Sequence, residues 1–170
     1  MSLAWTDGAG THQLTSPETS PLTPVRCCTN NYGSGTGTAG TDNMAMDVKS
    51  IAIPAGSINA HGERIRLRCY WIGGAGSTIT ATMKFNGVTV CTNNDMGASD
   101  IKVLEAWLHY VDNTHANIIS VPDGVVDQAA SAVNVAGFSW SSAQNLVISQ
   151  DAVTGKHVTV YLLVADIFPK

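Results

Sequence analysis

Apolar and polar residues alternate with a period of two along most of this chain, the spacing that turns one side of a β-strand to a core and the other to water. The clearest run is Glu63-Arg-Ile-Arg-Leu-Arg-Cys69, with Ile65, Leu67 and Cys69 on one face and Arg64, Arg66 and Arg68 on the other. A Gly-rich break over 73–76 separates it from Thr78-Ile-Thr-Ala-Thr-Met-Lys-Phe85, and Asn86-Gly87 turns the chain back into Val88-Thr-Val90. Asn-Gly between alternating runs predicts a two-residue type I′ turn, because both central positions need positive φ. That register sets Phe85 opposite Val88, Lys84 opposite Thr89 and Met83 opposite Val90, with one face apolar and the other polar.

Further strands are expected at Val25–Tyr32, Met44–Ile53, Ala116–Val121, within Val125–Phe138, and at Leu146–Ser149. In the second of these, Met44, Met46, Val48 and Ser50 fall on one side. Ile101–Val111 is rich in β-branched and aromatic residues, which favours a strand with a helix as the alternative. As a strand it carries Leu104, Ala106, Leu108 and Tyr110 on one face and Val103, Glu105, Trp107 and His109 on the other. The last strand, His157–Phe168, is apolar on both faces. Val158, Val160, Leu162 and Val164 form one, and Tyr161, Leu163, Ala165 and Ile167 the other. Such a strand is central to a sandwich or covered by another subunit. Residues 1–22 include Pro17 and Pro21 and have Trp5 and Leu14 as apolar anchors. Proline removes donors, so this stretch reads as an extended arm, free or docked on a neighbouring subunit. The sum is an all-β chain of about eight antiparallel strands. It closes as a two-sheet jelly-roll or Greek-key sandwich over residues 23–170 behind that arm.

A chain of 170 residues suits one domain and buries a core without metal or disulfide staples. Only 13% of residues are charged, which fits a loop-rich β protein or one that hides surface in an assembly. The net charge of −4 argues against a nucleic-acid partner, and no apolar run reaches membrane-spanning length. Met1–Gly8 lacks the basic region and apolar core of a signal peptide, so folding in a reducing host cytoplasm is expected. Cys27, Cys28, Cys69 and Cys91 show no metal-binding spacing. They read as buried structural thiols, with a Cys69–Cys91 disulfide left open. No phosphate loop, metalloprotease helix or hydrolase elbow occurs, His12, His61, His109, His115 and His157 are scattered, and no carboxylate pair stands out. No enzyme activity, cofactor or metal is therefore expected. The arginine row is either a solvated face paired with carboxylates or a contact patch for an acidic surface.

The run Ile53-Pro-Ala-Gly-Ser-Ile-Asn-Ala-His-Gly-Glu-Arg-Ile-Arg-Leu-Arg68 is followed in order by Thr78–Val90, Leu104-Glu-Ala-Trp107, Ser139–Gln150 and Leu162-Leu-Val164. This succession resembles a module of tailed-bacteriophage virion proteins. The arm and the cysteines depart from it. The resemblance implies a jelly roll without catalytic residues that usually assembles as a trimer. The expectation it carries is a homotrimeric capsid decoration (cement) protein on the capsid exterior, bound to the major capsid protein. Trp5, Leu14, Arg64, Arg66 and Arg68 would face the shell, and Tyr161, Leu163 and Ile167 the trimer axis. The alternative is a tail or head-fibre module that binds host-surface glycans through Trp71, Trp107 or Trp140. Core packing is the competing role for each of these tryptophans.

Overall fold

The Asn-Gly hairpin forms as the pattern predicts. Asn86 and Gly87 have φ of 51° and 82°, and Phe85 pairs with Val88 and Lys84 with Thr89. The register then shifts, so Met83 pairs with Cys91 rather than Val90. This is a β-bulge, which turns two successive side chains to one side, and Val90 and Cys91 are both buried.

The computed structural model describes residues 3–7, 10–14, 25–31, 37–73, 78–95, 101–122 and 130–168, with backbone alone up to residue 31 and at Asp95. Its strands are β1 (Leu3–Asp7), β2 (Gly10–Leu14), β3 (Val25–Asn31), β4 (Thr38–Ala39), β5 (Met46–Ile53), β6 (Arg64–Gly73) and β7 (Ile79–Phe85). They continue with β8 (Val88–Asp95), β9 (Lys102–Asp112), β10 (His115–Pro122), β11 (Ala130–Ala136), β12 (Gln144–Gln150) and β13 (Val158–Phe168). The helix alternative for 101–111 is thus replaced by β9.

Two antiparallel sheets make the sandwich. The larger has the order β11-β10-β9-β6-β13-β3, with β4 also beside β13, and the smaller has the order β5-β12-β7-β8. The chain passes repeatedly between them, so β12 is inserted between β5 and β7, and β13 lies beside β6. This is Greek-key wrapping. Without the two-residue β4 the sandwich has ten strands rather than about eight, with β3 and β11 at the edges of the larger sheet. Strands β1 and β2 form a separate antiparallel pair.

Alternation within β6, β7 and β9 supplies much of the core: Ile65, Leu67, Cys69 and Trp71 face Ile79, Ala81, Met83 and Phe85, with Leu104, Ala106 and Leu108 alongside. Two other strands depart from strict alternation, each at a bulge. In β13 the register with β6 skips Tyr161, so Val158 and Val160 share the core face with Leu163, Ala165 and Ile167. In β5 the register with β12 skips Val48. Val48, Ile51 and Ile53 therefore point inward, while Met44 and Ser50 are exposed.

The loop that leads into β6 explains the Ile53–Arg68 motif structurally. The backbone N–H groups of Asn59 and Ala60 donate to Glu63 Oε2 at 2.5 and 3.0 Å, the Ser57 hydroxyl donates to Pro54 O at 2.6 Å, and Gly56 N–H donates to Trp140 O at 2.7 Å. Across the molecule, the buried Gln150 carboxamide donates to Thr41 O and Met44 O and accepts from Val158 N–H, each at 2.8 Å. That one side chain pins the 41–44 loop to β13.

Candidate functional site

The outward positions of the larger sheet line up in cross-strand rows. One row runs Ile119 (β10), Trp107 (β9), Arg66 (β6), Asp166 (β13), and the next runs Asn117, His109, Arg64, Phe168. A third runs Val121, Glu105, Arg68, Val164. Each follows from the two-residue period of its strand, and in β13 from the shift at Tyr161, which brings Asp166 and Phe168 to the outer surface.

The centre of this face is an aromatic–guanidinium cluster. The Trp107 and Phe168 rings lie 5.4 Å apart, tilted by 35°, reaching across β6. The guanidinium carbons of Arg64 and Arg66 stand 5.8 and 5.3 Å from the Trp107 ring and 5.3 and 5.8 Å from Phe168. Contacts of this kind contribute roughly 0.5–2 kcal/mol each, depending on desolvation. Trp107 Nε1–H donates to Glu105 Oε1 at 2.9 Å, which fixes the indole in its tilt. Arg66 and Arg68 both donate to Asp166 Oδ2, at 3.0 and 2.8 Å. Burial of Asp166 alone would raise its pKa, but the hydrogen bonds and charges of the two arginines outweigh that and hold it below the usual carboxylate range. His109, opposite Arg64, has its pKa lowered by burial and by the Arg64 charge, so its imidazole is neutral at pH 7. Beside the cluster, His109, Asn117, Ile119 and Ser131 line a shallow depression of about 300 Å³ that continues over Ala132 and Val133.

The residues singled out in sequence are distributed unevenly. Arg64, Arg66 and Arg68 share this face, half-buried and held by rings or by Asp166. Leu163 and Ile167, expected at a subunit contact, instead lie in the core of this chain because of the Tyr161 bulge, and Tyr161 itself is half-buried. The side chains of Trp5 and Leu14 lie outside the described residues; their backbones pair opposite His12 and Leu3. Trp71 and Trp140 are 0% and 2% exposed, and Trp140 stacks on Phe138 at 5.2 Å. Only Trp107 of these three reaches the surface. The parity of Trp71 with Ile65, Leu67 and Cys69 was a sequence signal for its burial. Cys69 and Cys91 are buried and not joined by a disulfide.

Glu105, His109, Asn117, Asp166 and Phe168 escaped the sequence reading as site residues. Asp166 carried a signal, as the one charge in an otherwise apolar strand. Among the described residues no group of three or more His, Cys, Asp or Glu is placed to hold a metal ion.

No family model matches the chain, and no curated protein does. Among solved structures, the CBM2 module of Lactobacillus casei BL23 phage J-1 evolved Dit is similar in outline. It has 13% sequence identity and a TM-score of 0.42, over 88% of this chain and 82% of that one.

Proposed function

We propose that this chain is a non-catalytic saccharide-binding β-sandwich of a phage virion, placed on a tail or head fibre, with the outer face of the larger sheet as its binding surface. The observation that carries the reading is the setting of Trp107. It is a half-buried ring locked by Glu105, flanked by Arg64, Arg66 and Phe168, and adjoined by a mainly apolar depression that carries His109, Asn117 and Ser131. Sugars present apolar C–H faces and a rim of hydroxyls, and a fixed aromatic among hydrogen-bonding side chains complements both. The virion setting rests on the sequence resemblance. The capsid-decoration expectation, which also rests on the resemblance, assigns the final strand, apolar on both sides, to a trimer contact. That strand lies between β6 and β3, and Val158, Val160, Leu163, Ala165 and Ile167 are used in the core of the chain, so its composition no longer calls for a trimer interface.

Affinity electrophoresis of the full chain against a panel of neutral and acidic polysaccharides tests the proposal. Binding to at least one polysaccharide is expected, and Trp107→Ala should weaken it by roughly 10- to 100-fold, the equivalent of about 1.5–3 kcal/mol, while circular dichroism shows the sandwich still folded. Equal retardation of wild type and Trp107→Ala across the panel would overturn it, as would an absence of retardation together with a stable trimer that binds capsid shells.

A further inference from the structure

The hydrogen-bonding groups of this face are not balanced. Asp166 is only 4% exposed and serves two arginines, and Glu105 holds the Trp107 N–H while standing opposite Arg68. Asn117 Oδ1 accepts the Asn134 N–H at 2.8 Å, so that oxygen is already occupied in a side chain that lines the depression. Arg64 differs from Arg66 and Arg68. Among the described residues no carboxylate lies within ion-pair reach of it, and its guanidinium rests on Trp107 and Phe168 alone. In the row Asn117, His109, Arg64, donors outnumber acceptors: the Asn117 oxygen is taken, the His109 imidazole offers one nitrogen of each kind, and Arg64 adds only donors and a full positive charge at the aromatic end.

We infer that the ligand is an acidic saccharide, a hexuronate, whose carboxylate is taken by Arg64 while its ring covers Trp107. This rests on the saccharide-binding reading and narrows it. A neutral sugar offers hydroxyls that use acceptors and donors alike, whereas the row from Asn117 to Arg64 presents mostly donors. A carboxylate offers acceptors only, and the planar guanidinium fork matches its two oxygens. A hexuronate bears its carboxylate one bond from the ring. It can therefore place charge on Arg64 while its ring lies over the neighbouring indole, with His109 and Asn117 donating from the same row. The anion also acts on His109. Arg64 now depresses its pKa, and a carboxylate bound there offsets that charge and raises it.

Calorimetric titration of the full chain with galacturonate, glucuronate and mannuronate oligosaccharides, each beside its methyl ester, tests the inference. One acid should bind at least about 10-fold more tightly than its ester, the scale of one charge-assisted hydrogen bond. The difference should shrink in high salt. Arg64→Gln should erase it while the circular dichroism of the folded sandwich is retained, and the His109 imidazole should titrate at higher pH in the complex. Equal affinity for acid and ester, or an Arg64→Gln protein that still discriminates, overturns the acidic ligand. In that case binding of neutral sugar that depends on Trp107 keeps the broader reading. Preference for a glycerol-phosphate polymer over every uronate overturns the carboxylate assignment. No Trp107-dependent binding to any saccharide overturns both.

Discussion

Replacing Asp166 by Asn removes the charge that holds two arginines on the binding face while keeping side-chain volume. The carboxylate is 4% exposed, and the Arg66 and Arg68 side chains are 27% and 22% exposed. Breaking a fully buried pair costs about 3–5 kcal/mol, and an exposed pair about 0–1 kcal/mol. Here the anion is buried, but each arginine can turn partly to water, so the cost falls between, at about 2–3 kcal/mol. With a urea m-value of about 2 kcal/mol/M, the unfolding midpoint should drop by about 1–1.5 M. The pH dependence has a definite sign. The folded-state pKa of Asp166 is lowered, so its contribution is present above the unfolded carboxylate value of about 4 and is lost as pH falls through the lower folded value. Urea midpoints of wild type and Asp166→Asn should therefore differ fully at pH 7 and converge below about pH 4. A difference under about 0.5 kcal/mol at pH 7, the level of an ordinary surface substitution, would refute the reasoning. So would a difference that stays constant into acid.

Other outcomes follow from the same structure. A Cβ at Gly40 would overlap the Gln150 carboxamide oxygen, whose hydrogen bonds hold it in place; Gly40→Ala should cost about 1–3 kcal/mol in thermal or urea unfolding. Burial and the neighbouring Cys91 push the Cys69 thiol well above its usual pKa. In a Cys27→Ser, Cys28→Ser variant, Ellman's reagent should therefore find no reactive thiol until the protein is unfolded. Deleting residues 1–22, which precede the first strand of the sandwich, should leave both the melting temperature and saccharide binding unchanged, as measured by calorimetry.

The sandwich was legible wherever alternation runs unbroken. The Asn86-Gly87 turn, the inward Ile65-Leu67-Cys69 face and the outward arginines all follow from a period of two and a turn that needs positive φ. What the sequence hid was parity after a bulge. Nothing in the residue types at Val48, Val90 or Tyr161 marks an extra residue, since each is a good strand former. At Tyr161 the consequence was functional. The shift carries Leu163 and Ile167 into the core, and it brings Asp166 and Phe168 out beside Arg66 and Arg64. The cluster itself joins β6, β9 and β13, whose pairing depends on the way the chain crosses between sheets. The arginine row was visible in one strand, but the ring and the carboxylate that hold it came from two others.

The most direct test of the saccharide-binding account is amide and indole chemical-shift mapping of the labelled chain during titration with the best-binding polysaccharide fragment. The largest shifts should fall on the Trp107 indole N–H and on Arg64, Arg66, His109, Asn117 and Phe168, along adjacent rows of one sheet face. Shifts confined to the β5-β12-β7-β8 sheet or to the loops, with the Trp107 indole unmoved at saturation, would contradict the account.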